Sequence, residues 1–141
     1  MPIVIIPIIV LLTNELLKVV IQSLKAGKLE LKWFMHAGGM PSGHSAFTSS
    51  IATISGLIAG FESVEFMLAL GFAVIVIYDA RGLRATVGKH AKVINKYHKA
   101  KQLDESVGHT NLEAFTGAVL GIAMSLIIYD YAGIIPFSLW F

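Results

Sequence analysis

The chain has 141 residues, of which 55% are hydrophobic and 14% charged, with a formal net charge of +2. Its mean hydropathy is +0.73, whereas a soluble domain of this size carries about a quarter charged residues, so lipid is expected as the main solvent for one domain spanning residues 1–141. The absence of cysteine excludes disulfides, zinc–thiolate sites and thiol nucleophiles.

Four apolar stretches read as spanning helices, each needing roughly 17–25 residues. The first runs from about Pro2 to Leu24 and is interrupted by Asn14, Glu15 and Lys18. No basic residue precedes its apolar run and no small-residue cleavage site follows it, so it reads as a retained helix rather than a signal peptide. A polar connection from Lys25 to His44 contains Gly38-Gly39-Met40-Pro41, which marks irregular backbone. The second helix is expected from Ser45 to Gly60, short for a full span, and the third from Val64 to Tyr78. Asp79 to Gly108 is a second polar connection with a basic run from Lys89 to Lys101. Its middle fits a surface helix in which Val93, Ile94 and Tyr97 face lipid while Lys92, Lys96 and Lys99 face water, or else a solvated helix without lipid contact. The fourth span runs from Leu112 to Tyr131, and the aromatic tail from Gly133 to Phe141 suits the far interface. The expected fold is therefore an all-α integral membrane bundle of about four transmembrane helices, with a basic surface helix between the third and fourth.

Small residues recur at helical spacing, with Ala52, Gly56 and Gly60 in the second helix and Gly117 and Gly121 in the fourth. Such stripes permit close helix approach, either within one subunit or along a homodimer seam.

An up-and-down arrangement brings Lys18, the segment Pro41 to Ser45, the segment Asp79 to Lys89, and the pair His109 and Glu113 to one end. All 11 Lys and Arg residues lie at or near that end. The positive-inside rule makes it cytoplasmic and places both termini on the opposite side. Charges at membrane depth cost roughly 2.5–3.5 kcal/mol each on insertion scales. Glu15, Lys18, Asp79 and Glu113 therefore need a reason, which is either a site or simple snorkelling and a buried pair such as Glu15 with Lys18.

Three segments carry candidate chemistry. In Pro41-Ser42-Gly43-His44-Ser45, Ser42 and Gly43 offer a hydroxyl and bare amides at a helix start, an anion site, and His44 could protonate a leaving oxygen. In Gly108-His109-Thr110-Asn111-Leu112-Glu113, His109 and Glu113 are four apart on one helical face. The carboxylate can orient the imidazole, which can then attack phosphorus; alternatively the segment is a capped helix start with a surface ion pair. Tyr78-Asp79-Ala80-Arg81-Gly82-Leu83-Arg84, with Gly88-Lys89, supplies cations suited to a phosphoryl group, to which Lys18 adds a further charge.

These segments, taken in order from about Lys18 to Gly121, resemble a compact divergent branch of the superfamily of type 2 phosphatidic acid phosphatases and vanadium haloperoxidases. Pro41-Ser42-Gly43-His44 matches that superfamily's second signature. His109-x3-Glu113 is similar to its Arg-x5-His-x3-Asp signature with glutamate in place of aspartate. The resemblance implies cofactor-free and metal-independent phosphoester hydrolysis through a phosphohistidine. His109 would be the nucleophile, Glu113 its orienting partner and His44 the general acid. Ser42, Gly43, Lys18, Arg84 and Lys89 would hold phosphate, with Asp79 in support. The substrate would be a phosphorylated lipid or prenyl chain in the membrane. The chain departs from the pattern in two places. Lys18 is followed at the usual spacing by Lys25-Ala26 where Arg-Pro belongs, and Leu103 stands where an arginine would precede His109. A non-catalytic lipid-phosphate-binding scaffold is the second reading, and a small channel using Glu15 and Asp79 the third. The basic run lacks the aromatic interleaving of single-strand binders, so no nucleic-acid partner is expected.

Overall fold

The computed structural model describes residues 2–34, 36–98 and 102–132. Among them the chain forms α1 (Ile5–Ala26), a single 3-10 turn (Leu31–Trp33), α2 (Gly43–Ala59), α3 (Val64–Arg81), α4 (Leu83–Tyr97) and α5 (Asn111–Tyr131), with no strand. The aromatic tail and Lys99 lie outside the described residues.

Local chemistry sets the boundaries. Gly27, at φ 66°, ends α1 in the left-handed conformation that glycine adopts without a Cβ penalty. The Ser42 and Ser63 hydroxyls accept the Ser45 and Phe66 N–H groups, capping α2 and α3. A reciprocal box opens α5: Thr110 Oγ1 accepts the Glu113 N–H at 3.2 Å, and Glu113 Oε2 accepts the Thr110 N–H at 2.9 Å. At Gly82 the backbone leaves helical values (φ −94°, ψ −83°) and separates α3 from α4. The polar connection after Tyr78 is thus helical as far as Tyr97 apart from the Gly82 break, and the helix expected in its middle starts at Leu83, six residues before the basic run.

α2 is the centre of the bundle, and α1, α3 and α5 pack on it. It is the shortest of these four, with 17 residues, and its interior is rich in hydroxyls. Thr48 and Thr53 donate back to the carbonyls of His44 and Ser49, and Ser125 of α5 donates to Ser50 Oγ at 2.6 Å. Such bonds satisfy polar groups that neither lipid nor a dry core could solvate. Both glycines of the α5 GxxxG are used inside the chain, since a Cβ on Gly117 would strike the Ser42 backbone and one on Gly121 the Ala46 carbonyl. Gly56 makes room for the rings of Phe61 and Phe66. Neither Gly56 nor the α5 GxxxG pair is therefore free to form a dimer seam.

α1, the apolar stretch opening at Val64, and α5 are long and apolar enough to cross a membrane. Their outer faces expose Leu12, Leu16 and Val20 on α1, Leu68 and Ile75 on α3, and Phe115 and Val119 on α5. Apolar residues on the outside and hydroxyls on the inside are what a chain dissolved in lipid requires.

Candidate functional site

The end of α1, the starts of α2 and α5, and the α3–α4 junction meet at one end of the bundle. Backbone bonds tie them together: the Ser42 N–H donates to the Glu113 carbonyl at 3.0 Å and the His109 N–H to the Ala80 carbonyl at 3.0 Å. Asn14 Nδ2 donates to the Pro41 carbonyl at 3.2 Å.

Two histidines brought together from positions 65 residues apart form the centre. The rings of His44 and His109 meet edge to face, 5.7 Å between centroids. Nδ1 of His109 lies 3.4 Å from Glu113 Oε2, and its side chain is only 1% exposed. Glu113 thus combines the two roles left open for it, closing the capping box and facing the imidazole. Neither ring nitrogen of His109 has a well-formed hydrogen bond among the described residues. Burial pushes the His109 pKa below its ordinary value, opposed by the Glu113 carboxylate and the neighbouring Gly39 carbonyl.

The cations arrive already paired. Arg84 Nε donates to Asp79 Oδ2 at 2.8 Å, while its Nη1 lies 3.4 Å from His44 Nε2. Lys18, buried at 1% exposure, pairs with Glu15 at 2.7 Å and donates to the His36 carbonyl at 2.7 Å. The buried Glu15–Lys18 pair is therefore present, and both residues also line the site. Lys18, Arg84, His44 and Gly43 line one cavity of about 320 Å³, with Glu15, Leu11, Phe47 and His36. His109 and Glu113 instead line a neighbouring cavity of about 300 Å³ with Gly39, Ser106 and Gly108. The histidine rings meet between the two.

Other expected phosphate ligands are placed differently. Ser42 is fully buried; its hydroxyl accepts from the Ser45 N–H and hydroxyl, and its N–H is given to Glu113. Gly43 faces the cavity, but a Cβ there would strike Glu15 Oε1, so a carboxylate already stands at the start of α2. Lys89 is exposed on α4 and lines neither cavity. Its neighbour Gly88 turns inward instead, against the carbonyls of Glu105 and Val107.

His36 belongs to the site without any motif having pointed to it. Its Nε2 lies 3.3 Å from Asp104 Oδ2 and 3.2 Å from Ser106 Oγ, latching the loop before α2 to the loop before α5. The Ser106 hydroxyl and N–H hold the Asp104 carboxyl below the usual carboxylate range. Among the described residues no three His, Asp or Glu side chains gather in metal-binding range.

Comparison with known proteins gives the same frame. The family model described as the divergent PAP2 family matches residues 1–124. The chain is 34% identical over 134 residues to the uncharacterized membrane protein YuiD of Bacillus subtilis (strain 168), covering 81% of this chain and 85% of that protein. No solved structure matches significantly. A family match over residues 1–124, a membrane relative matched over most of both chains and three spanning-length helices lead to one conclusion: the chain is an integral, multi-pass membrane protein that belongs to the divergent PAP2 family.

Proposed function

We propose that the protein is a membrane phosphatase that cleaves a phosphomonoester or diphosphate of a lipid or prenyl chain through a phosphohistidine on His109. The observation that carries this reading is the His44–His109 ring contact with Glu113 behind His109 Nδ1. A carboxylate at Nδ1 leaves Nε2 as the nucleophilic nitrogen. Nε2 attacks phosphorus, the P–O bond to the lipid breaks, and His44 gives its proton to the departing oxygen. Water then attacks the phosphohistidine, losing its proton to His44, and releases inorganic phosphate. Arg84 and Lys18 stand beside His44 to meet the charge of the phosphoryl oxygens. Attack by His109 requires the His44 ring to swing aside, because His109 and the cations line different cavities.

An apolar substrate chain has a place to lie. Beyond Leu11 of α1 and Phe47 of α2 in the charged cavity, the same two helices line a second, mostly apolar cavity of about 470 Å³, with Val4, Pro7, Ile51, Ile54 and Ile58 and, among its polar members, Glu65. From His44 to Ile58 the groove runs along about 21 Å of helix. In this reading the two cavities form one groove that faces the bilayer.

The second reading, a lipid-phosphate-binding scaffold, is favoured by the prior pairing of Lys18 with Glu15 and of Arg84 with Asp79. Those pairs also give the two carboxylates of the channel reading a different task. Phosphate release by the purified protein from phosphatidic acid and from prenyl mono- and diphosphates separates the readings. The phosphatase works in excess EDTA and is blocked by vanadate, which adopts the geometry of phosphoryl transfer. Binding of these lipids without any release makes the protein a scaffold, and activity lost in EDTA and restored by Mg²⁺ refutes the mechanism.

From the charge bias we further propose that this end of the bundle faces the cytoplasm. A cysteine at Ser63 should then react with an impermeant reagent from outside and one at Ser106 should not; the reverse pattern turns the site outward.

A further inference from the structure

Helix α4 has three distinct faces. Gly88, Ala91 and Asn95 are buried. Asn95 Nδ2 donates to the Leu103 carbonyl and to Glu105 Oε1, and its Oδ1 accepts the Leu103 N–H. A second face, spanning roughly 80° of the wheel, carries Leu83, Val87, Ile94 and Tyr97, each between 43% and 72% exposed, with the exposed His90 among them. On the third, within roughly 60°, Lys89, Lys92 and Lys96 are all exposed.

We infer that α4 lies in the headgroup layer of the site-side leaflet and that its lysine face binds anionic phospholipids. A largely apolar exposed face has no reason to persist in water, and lysines roughly 150° around the helix from it stand on the headgroup side, within reach of the phosphates above an acyl boundary. The chain supplies the location, because α4 follows the apolar α3 across the single residue Gly82. It also supplies the complementarity: α4 contains Arg84, Lys89, Lys92 and Lys96 and no acidic residue. The occupant is therefore the anionic lipid of the protein's own membrane rather than a soluble acidic protein, which would leave the apolar face wet. This binding surface is separate from the phosphatase reading and does not depend on it.

The same helix touches the site. Arg84 at its start lies against His44 and Asp79. Its buried face carries the 103–108 loop that delivers His109. Anionic lipid under α4 therefore steadies the segment on which both histidines depend.

The chain has no cysteine, so single-cysteine labelling is clean. The test places an environment-sensitive nitrobenzoxadiazole label at Ile94→Cys, and separately at Lys92→Cys, in the full-length protein. Both are reconstituted in phosphatidylcholine nanodiscs with increasing phosphatidylglycerol. The Ile94 label should shift to the blue and be quenched by doxyl lipids as phosphatidylglycerol rises, while the Lys92 label stays in water. Each lysine near an anionic surface is worth about fivefold in binding. Lys89→Gln/Lys92→Gln/Lys96→Gln should then raise the phosphatidylglycerol fraction at half-shift at least about fivefold, and 0.5 M salt should act in the same direction. The corresponding triple Arg variant, which keeps the charge, should behave as wild type and shows that the Gln result is not misfolding. An Ile94 label that stays water-exposed at every composition overturns the inference. So does a blue shift that ignores phosphatidylglycerol and rises with protein concentration in detergent, which would assign the face to a second copy.

Discussion

Replacing Lys18 with methionine keeps the side-chain length and removes the ammonium from a pair that is almost wholly buried, at 1% exposure for Lys18 and 5% for Glu15. The Glu15 contact at 2.7 Å and the hydrogen bond to the His36 carbonyl are both lost. Removing one partner of a buried pair typically costs about 3–5 kcal/mol, because the remaining charge keeps its desolvation cost and loses its counter-ion. That corresponds to roughly 100- to 4,000-fold in the unfolding equilibrium. Glu15→Gln should cost less than Lys18→Met, since it keeps the bond to His36. The double variant Glu15→Gln/Lys18→Met buries no charge at this position and should recover most of the loss. Unfolding in mixed detergent micelles, followed by far-UV circular dichroism with linear extrapolation, measures the cycle. The double variant also separates structure from chemistry, because a folded protein that lacks phosphate release assigns Lys18 to the substrate. Single variants that each cost less than about 1 kcal/mol and simply add would show a solvent-screened pair of the surface kind, and the reasoning would fail.

Three further outcomes follow from the geometry. Gly121→Val drives a side chain into the Ala46 carbonyl and should cost about 1–3 kcal/mol by overpacking; a neutral result in the same unfolding assay would mean that α2 and α5 are not in close contact. Burial lowers the His109 pKa, so the imidazole stays neutral and nucleophilic below the usual histidine range. The acid limb of phosphate release should therefore lie below pH 6.5, the ordinary histidine value. Because Glu113 raises that pKa, Glu113→Gln should move the limb to still lower pH, and an upward move in the pH–rate profile would contradict the assignment. His44→Ala should slow alkyl phosphates far more than nitrophenyl phosphates, since a general acid matters most for a basic leaving oxygen; equal losses would make His44 a binding residue.

How much of this was legible in the sequence depended on whether the signal was local. The apolar runs placed α1, α3 and α5 within a few residues, and Pro-Ser-Gly-His marked the start of α2 because capping is a property of adjacent residues. His109 and Glu113 do meet, but not on one helical face as their spacing suggested: His109 precedes the Thr110 cap, and the Glu113 carboxylate that closes the capping box also reaches its Nδ1. The direction of Lys89 was not legible before its helix was: once Leu83 to Tyr97 is a helix, successive residues point about 100° apart, so Gly88 turns inward and Lys89 outward. Ser42 was read as a phosphate ligand, but its hydroxyl is used by the cap that its own position creates. His36 could not be found, because its partners Asp104 and Ser106 lie about 70 residues away and meet it only through the folding of two loops. The charge balance of the site was hidden likewise, since Asp79 reaches Arg84 only across the Gly82 break.

The central claim is a covalent phosphoryl group on His109, and it is tested by trapping that group. Wild-type protein and His109→Ala, both reconstituted in nanodiscs and shown to be folded, are mixed with ³²P-labelled lipid and prenyl phosphates and quenched in alkali, which preserves phosphohistidine. The account predicts an acid-labile, alkali-stable label on His109 of the wild type that chases into inorganic phosphate, with no label and no phosphate release from the variant. Phosphate release by His109→Ala within a few-fold of wild type, or folded wild-type protein that binds these lipids and neither labels nor releases phosphate, would contradict it.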